Sequence, residues 1–460
     1  MRLIEKTKEL LEKEKGNFRR NFLKLILAVP FWLILGALVL IGFGVGRAFY
    51  LTDTRPDQYV AEAWQNGSET AFRHMTVYAG GIRPGGDTTP MVCAEGNKSI
   101  RLADITEMRK SLQSSASTGT EAGNKNITFR EDRLRGWEDC YSSTVMAKIQ
   151  AIEVRDGLEV ETGSADVQIV AVGGNYKAFH PFRYLAGGFL PETPVNTHQI
   201  VINDVLAWKF YRSYDVVGHT LIINGEMFTI IGVVEEKNTK VAELAGEQQN
   251  RAFIYFGTLE SVFKKDQDSE DSGNGDYGDY TTGYSNVGNG YVDYAIQCYE
   301  AMLPELVKGV GVTDFKNALP NYSLSNPQYY VANNTGRFTV TRVFDTMFPL
   351  GETDRERLGY EFPYWETAAQ MTEERLFYDY TIVGFGIILL LVGLITIALK
   401  FRAKKAVAPE ELELVSEEEV SVPEEKPLIS AKNKPLLDSG DTPKMEVLDQ
   451  KMLESGEDKD

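Results

Sequence analysis

Residues 217–234 read VGHTLIINGEMFTIIGVV, and this stretch has the most regular pattern in the chain. Apolar runs lie on both sides of Asn224-Gly225, a dipeptide that tolerates the positive φ angles of a type I′ turn. Gly218 and Gly232 flank the two runs. The pattern therefore predicts a β-hairpin with a two-residue turn.

Shorter elements surround this hairpin. Gln199–Asn203 has the composition of a strand, and Asp204–Tyr211 that of a helix capped by Asn203 or Asp204. The apolar run over Ala252–Phe256 predicts another strand. Two further elements are predicted nearer the C-terminus, a helix over Leu303–Leu319 and a strand over Arg337–Phe344. Because strands and helices interleave, the fold class is predicted to be α/β or α+β, in two lobes divided near the loops of low order.

Two uncharged apolar runs enclose this region. Leu25 to Gly46 is 22 residues long and Tyr380 to Leu399 is 20. As helices they measure about 33 and 30 Å, enough to cross a hydrocarbon core of about 30 Å. A cleaved signal peptide is the alternative for the first run, with Gly44-Val45-Gly46 as its cleavage site. The run is longer than a signal core and follows 24 residues rich in Lys and Glu, so an uncleaved anchor is preferred.

Basic residues lie on the outer side of each run in the sequence. They are Arg19, Arg20 and Lys24 before the first, and Lys400, Arg402, Lys404 and Lys405 after the second. The positive-inside rule then predicts a plasma-membrane protein with both termini in the cytoplasm. The predicted order is an amphipathic cytoplasmic segment (1–24), a transmembrane helix (25–46), an extracytoplasmic core domain (47–379), a second transmembrane helix (380–399) and an acidic, disordered cytoplasmic tail (400–460).

Composition and motifs exclude several function classes. The net charge of −18 repels nucleic acid, so no nucleic-acid partner is expected. The sequence contains no P-loop, GxSxG or HExxH motif. Each of its four histidines, His74, His180, His198 and His219, stands alone, so no zinc ligand set is expected. We therefore expect no catalytic residues, no cofactor and no metal site. Acidic residues in the loop over 266–290 could collect around Ca²⁺, but their spacing is not that of an EF-hand and a flexible acidic loop is preferred.

Three cysteines fall in the predicted extracytoplasmic region. Cys93 and Cys140 are the nearer pair in sequence and form a possible disulfide in an oxidising compartment, although sequence alone cannot establish the pairing. Cys298 lies in an alternating apolar run and is predicted to be a small buried side chain.

A small-residue pair lies in the first apolar run. Gly42 and Gly46 have the GxxxG spacing that allows a second membrane helix to approach closely. The motif is also common by chance in apolar segments, so both interpretations stay open.

Three motifs over Phe182–Phe256 occur in the order of a known family. They are Tyr184-Leu-Ala-Gly-Gly-Phe-Leu, Ile200-Val-Ile-Asn and the hairpin at 217–234. This order resembles the MacB-like periplasmic core domain of ABC-transporter permeases of the MacB/FtsX type. The positions that match its pattern are Gly187, Gly218, Asn224, Gly225 and Gly232. Gly188 and His219 stand where that family has Arg and Lys. The motif marks a fold and implies no catalysis.

The resemblance implies a function, but the chain departs from the family pattern in its number of membrane helices. Such permeases have four membrane helices, whereas this chain has one apolar run before the core domain and one after it. The chain is therefore expected to be an accessory or partial permease subunit without an ATPase of its own. Its expected partners are a four-helix permease and a separate cytoplasmic ABC ATPase, with membrane lipid around its spans. A free-standing membrane-anchored receptor or scaffold is the alternative.

Overall fold

The computed structural model describes residues 29–65, 71–93, 99–118, 137–155, 158–237, 239–263, 293–305, 309–323, 328–348 and 358–416. The predicted segment 1–24, the acidic loop over 266–290 and the tail after Ser416 lie outside these residues.

The described residues form ten α-helices and ten strands, together with three 3₁₀-helices at Pro56–Gln58, Gly86–Thr88 and Phe256–Thr258. The helices are α1 (Val29–Asp53), α2 (Val60–Gln65), α3 (Leu102–Thr118), α4 (Tyr176–Phe179), α5 (Asp204–Tyr211), α6 (Lys240–Leu244), α7 (Leu259–Phe263), α8 (Val310–Ala318), α9 (Val340–Met347) and α10 (Tyr364–Ser416). The strands are β1 (Ala71–Tyr78), β2 (Glu138–Arg155), β3 (Leu158–Gly174), β4 (Arg183–Gly187), β5 (Gln199–Asn203), β6 (Thr220–Ile223), β7 (Glu226–Glu235), β8 (Arg251–Tyr255), β9 (Cys298–Glu305) and β10 (Tyr330–Asn333).

All ten of these strands belong to one mixed sheet, with the order β10-β1-β9-β2-β3-β8-β5-β7-β4. β3 pairs with β8 in parallel, and β5 with β7. Because β6 pairs with both β2 and β7, six strands (β2, β3, β8, β5, β7 and β6) close into a ring. β9, β1 and β10 extend the sheet from the first part of β2. The mixed α/β class is confirmed, whereas the division into two lobes stays a prediction, because all ten strands belong to one continuous sheet.

Two apolar clusters cover the opposite faces of the sheet. One contains Ile149, Val167 and Ile254, which face the same side as the apolar residues of the other ring strands. The other contains alternate residues such as Val170 and Phe253. This alternation follows from the two-residue period of a strand.

The hairpin forms as predicted. β6 and β7 pair in antiparallel register from Thr220↔Thr229 to Ile223↔Glu226. Asn224 and Gly225 have φ angles of 46° and 89°, the positive values that a type I′ turn requires.

Two predictions nearer the C-terminus are wrong. The helix predicted over Leu303–Leu319 begins only at Val310, because the residues up to Glu305 pair with β1 in the sheet. Arg337–Phe344 is not a strand. It has the alternating, β-branched pattern of one, but the chain turns and enters α9 at Val340, where Val343 is fully buried. Tertiary packing outweighs β propensity at this point.

Two helices are long and apolar enough to cross a membrane, as predicted: Val29–Asp53 and the first part of α10, Tyr364–Arg402. α10 starts well before the predicted span at Tyr380 and continues to Ser416. The first residues of the tail are therefore helical instead of disordered, because Ala, Lys, Glu and Leu predominate there and favour a helix.

Candidate functional site

A buried network of hydrogen bonds around Arg337 connects the first turns of α10 to strand β1. The guanidinium of Arg337 donates to Glu366 at 2.7 and 2.8 Å and to Glu373 at 2.6 Å. The hydroxyl of Tyr78 on β1 donates to the same Glu366 at 2.9 Å. All four residues are at most 5% exposed. Since an unpaired buried charge is strongly destabilising, this network holds α10 in one position against the domain.

Charge pairs also hold the segment that follows α1. Arg55 pairs with Glu247, and Lys237 donates to Asp57 at 2.6 Å. Burial opposes ionisation of Asp57, but the charges of Lys237 and Arg55 outweigh it and hold the pKa of this carboxyl well below its usual range. Both apolar helices therefore continue into segments that are ion-paired to the domain.

The two apolar helices pack on each other through glycines other than the predicted packing pair Gly42 and Gly46. A Cβ added at Gly44 would lie 2.6 Å from Val383 Cγ2, and one at Gly386 would lie 3.2 Å from the Ala37 carbonyl oxygen. Arg47 pairs with the buried carboxylate of Asp379 at 3.4 Å on the same side of α1. The buried positions of α1 include Ala37, Gly44 and Ala48, separated by seven and four residues, a spacing typical of helix packing.

The predicted packing pair Gly42 and Gly46 lies elsewhere on α1. At about 100° per residue, these two glycines face away from Ala37 and Gly44. A Cβ added at either glycine meets no atom of the described residues within 4 Å. α10 therefore does not cover Gly42 and Gly46.

A cleft of about 380 Å³ lies beside the residues that join the helices to the domain. Its wall is formed by Pro56, Asp57, His180, Pro181, Phe182, Arg183, Glu235, Glu236, Lys237, Glu247, Tyr364 and Trp365. Behind it, Arg251 pairs with Glu236 and stacks on the ring of Tyr364 at 3.5 Å. Burial raises the pKa of Glu236 to about 7, although Arg251 opposes this shift. The wall thus carries both signs of charge and suits a polar ligand.

A second cluster gathers around Glu300 at the centre of the β1-β9-β2 part of the sheet. Glu300 on β9 pairs with Thr76 on β1 and with Cys140 on β2. Its Oε2 lies 2.6 Å from His180 Nε2 and accepts from Cys140 Sγ at 3.6 Å. Its Oε1 lies 3.0 Å from His74 Nε2. The expectation that every histidine stands alone is therefore wrong for His74 and His180, which are 106 positions apart in sequence but share one carboxylate.

The charges in this cluster shift its pKa values in opposite directions. Burial alone would raise the pKa of Glu300, but His180 and His74 outweigh it and hold the pKa of this carboxyl well below its usual range. Burial, followed by the charge of Glu300, raises the pKa of the Cys140 thiol. Cys140 is therefore a hydrogen-bond donor to an ionised carboxylate.

The predicted disulfide is not formed. Cys93 and Cys140 are both free thiols, and Cys298 is a third. Cys140 faces Glu300 from within β2, whereas Cys93 follows the isolated bridge of Val92 and donates its backbone N–H to the Asp293 carbonyl. Burial raises the pKa of Cys93 to about 12. Cys298 is fully buried, as predicted.

The predicted motif glycines fall into two physical kinds. Gly218 and Gly225 have φ angles of 91° and 89° with open space where a Cβ would lie. Gly187 and Gly232 are paired across β4 and β7, and a Cβ added at either would lie 2.0 Å from a backbone carbonyl oxygen of the opposite strand segment. Gly218 and Gly225 are needed for their backbone angle and Gly232 for close approach, whereas Gly187, with a φ angle of 60°, is needed for both.

Comparison with curated proteins gave no match. Among solved structures, the chain is similar to the periplasmic region of MacB from Actinobacillus actinomycetemcomitans, with 13% identity, a TM-score of 0.32, and coverage of 61% of this chain and 94% of that one. It is also similar to the extracellular domain of the noncanonic ABC-type transporter YknZ from Gram-positive bacteria, with 11% identity, a TM-score of 0.32, and coverage of 56% of this chain and 100% of that one.

A family model gives the most direct relationship. Residues 97–288 match the MacB-like periplasmic core domain, and this range includes all three motifs between Phe182 and Phe256. Residues 97–288 are thus similar to the MacB-like periplasmic core domain, and they lie between two helices that are apolar enough to span a membrane.

Proposed function

We propose that this chain is an accessory or partial permease subunit of an ABC-type transport or mechanotransmission complex, with no ATPase of its own and no enzymatic activity. The observation that carries the proposal is the buried network of Arg337 with Glu366 and Glu373. It joins the helix that leads into the second apolar segment to the extracytoplasmic domain. A shift of that helix in the membrane would therefore displace the domain as well.

The open face of α1 supports a partner within the membrane. On one side, α1 already packs against α10 through Gly44. On the other side, Gly42 and Gly46 are not covered by the rest of the described chain. We propose that this face packs against a helix of a four-helix permease, which in turn binds a separate cytoplasmic ABC ATPase. Close backbone approach through glycine is a recurrent way to associate membrane helices.

Replacing both Gly42 and Gly46 with Ile tests this proposal. We expect the double variant to stay in the membrane fraction, because the helix becomes more apolar, but to lose co-purification with the permease in mild detergent. Gly36→Ile is the matched control, since an added Cβ at Gly36 also meets no described atom within 4 Å and points to a different side of α1. Full co-purification of the double variant would contradict a packing role for this face.

The alternative is a free-standing membrane-anchored receptor or scaffold, and the charged cleft near Asp57 and Lys237 favours it. A receptor of this kind would bind its ligand outside the membrane and would tolerate both glycine replacements. If the wild-type chain itself co-purifies with neither a permease nor an ATPase, the receptor becomes the better proposal.

We further propose that both termini lie in the cytoplasm and the core domain outside it. In a Cys93→Ser background, a membrane-impermeant thiol reagent applied to intact cells should label a cysteine placed within 266–290. The same reagent should miss a cysteine placed within 410–450 until the cells are permeabilised. Labelling of the tail in intact cells would contradict the two-span arrangement.

A further inference from the structure

We propose that Cys140, His180 and Glu300 form a binding site for a divalent transition-metal ion, with Zn²⁺ as its preferred occupant. One ligand atom from each residue, namely the Cys140 Sγ, a ring nitrogen of His180 and a carboxylate oxygen of Glu300, lies within 4.8 Å of the other two. All three side chains are buried. This inference is independent of the proposed transport function.

The distances fit a site that needs little rearrangement. Zinc bonds of about 2.0–2.3 Å in tetrahedral geometry place neighbouring ligand atoms about 3.3–3.8 Å apart. Cys140 Sγ and Glu300 Oε2 are already separated by 3.6 Å. His180 Nε2 and the same oxygen are 2.6 Å apart and would have to separate by roughly 1 Å.

The surrounding residues orient the carboxylate. The second oxygen of Glu300 lies 3.0 Å from His74 Nε2 and accepts from Thr76 Oγ1 at 3.3 Å. These contacts leave Oε2 directed toward Cys140 and His180. Outer hydrogen bonds of this kind fix the orientation of metal ligands and are a usual part of metal sites.

The ligand types select the metal. A thiolate, an imidazole and a carboxylate together favour Zn²⁺ over the hard ions Mg²⁺ and Ca²⁺, which prefer oxygen ligands alone. Zinc would displace two protons, the thiol proton of Cys140 and the proton that His180 Nε2 donates to Glu300, and both leave to solvent. Three protein ligands leave a fourth position for water or another small ligand.

The location gives a route for the ion. His180 belongs both to this cluster and to the wall of the 380 Å³ cleft. Trp365, from the first turn of α10, packs edge-on against the His180 ring at a centroid distance of 4.7 Å. An ion that enters the cleft therefore reaches His180 before the deeper Cys140.

The test uses the full-length chain in detergent, stripped with a chelator and dialysed against Zn²⁺ or Co²⁺. We expect about one Zn²⁺ per chain by elemental analysis. With Co²⁺ we expect the charge-transfer absorption that arises only from a thiolate–cobalt bond. The Cys140→Ser variant should lose this absorption. Cys298→Ser should keep it, because Cys298 is an equally buried thiol two positions before Glu300 but is not in the ligand set.

Spectra of the wild-type chain keep the proposal open to disproof even if Cys140→Ser fails to fold. Absence of the thiolate–cobalt absorption in the wild-type chain, or its persistence in Cys140→Ser, would overturn the assignment. His180→Gln provides a second check on the cluster, and we expect it to lower the affinity for Zn²⁺ at least tenfold. An unchanged affinity in that variant would also count against the site.

Discussion

Replacement of Arg337 by Met should lower the thermal unfolding temperature of the full-length chain on the order of 10 °C. The substitution roughly preserves side-chain volume but leaves the carboxylates of Glu366 and Glu373 buried without their counter-charge. Loss of one partner from a buried ion pair typically costs about 3–5 kcal/mol, and 1 kcal/mol shifts the unfolding temperature of a mid-sized domain by about 2–4 °C.

The chain carries its own reporters for this measurement. Cys140 and Cys298 are fully buried, so a thiol-reactive fluorescent probe will detect unfolding in detergent. Lys240→Met is the matched control, because the Lys240–Glu243 pair is exposed and such pairs contribute less than about 1 kcal/mol. If Arg337→Met unfolds at the same temperature as the control, the network does not hold α10 to the domain.

A compensating variant separates charge from packing. Arg337→Met combined with Glu366→Gln and Glu373→Gln removes the uncompensated charges together with the arginine. We expect this triple variant to recover part of the lost stability, because neutral amides are less costly to bury than carboxylates. If the triple variant is less stable than Arg337→Met alone, the arginine acts mainly through its packing.

Sequence patterns predicted those parts of the fold that depend on near neighbours in the chain. The hairpin followed from the conformational freedom of Asn224-Gly225, and the two apolar helices from their length and composition. The pairing of Arg337 with Glu366 could not be predicted in this way, because nothing in a local pattern tells which of many carboxylates an arginine will meet. The contacts of Glu300 with His74 and His180 could not be predicted either, because these residues lie 226 and 120 positions away from it in the sequence.

Helix faces illustrate the same limit. The GxxxG spacing of Gly42 and Gly46 indicated one possible contact face of α1, and the heptad-like spacing of Ala37, Gly44 and Ala48 indicates another. Sequence alone ranks neither face above the other. The position of α10 decides between them, and that position depends on ion pairs outside the apolar segment, such as Arg47 with Asp379.

The close approach of β4 and β7 leads to the other large effect. Gly232→Ala should destabilise the chain by about 3 kcal/mol or more, because its new Cβ would lie 2.0 Å from the Gly188 carbonyl oxygen. The obstacle is backbone, so the strands themselves would have to separate, and their pairing at Gly187↔Gly232 would be disturbed. Thermal unfolding of the full-length chain, followed by the same thiol probe, measures the loss.

Substitutions at two nearby glycines distinguish a clash between strands from other causes of lost stability. Gly188→Ala should have almost no effect, since an added Cβ there meets no described atom within 4 Å and its φ is not positive. Gly225→Val should be intermediate, at about 1–2 kcal/mol, because space is available but a β-branched residue is forced into positive φ. Glu226→Gln, on the residue next to that turn, should leave stability unchanged. If Gly232→Ala is no more destabilising than Gly188→Ala, β4 and β7 do not approach each other this closely.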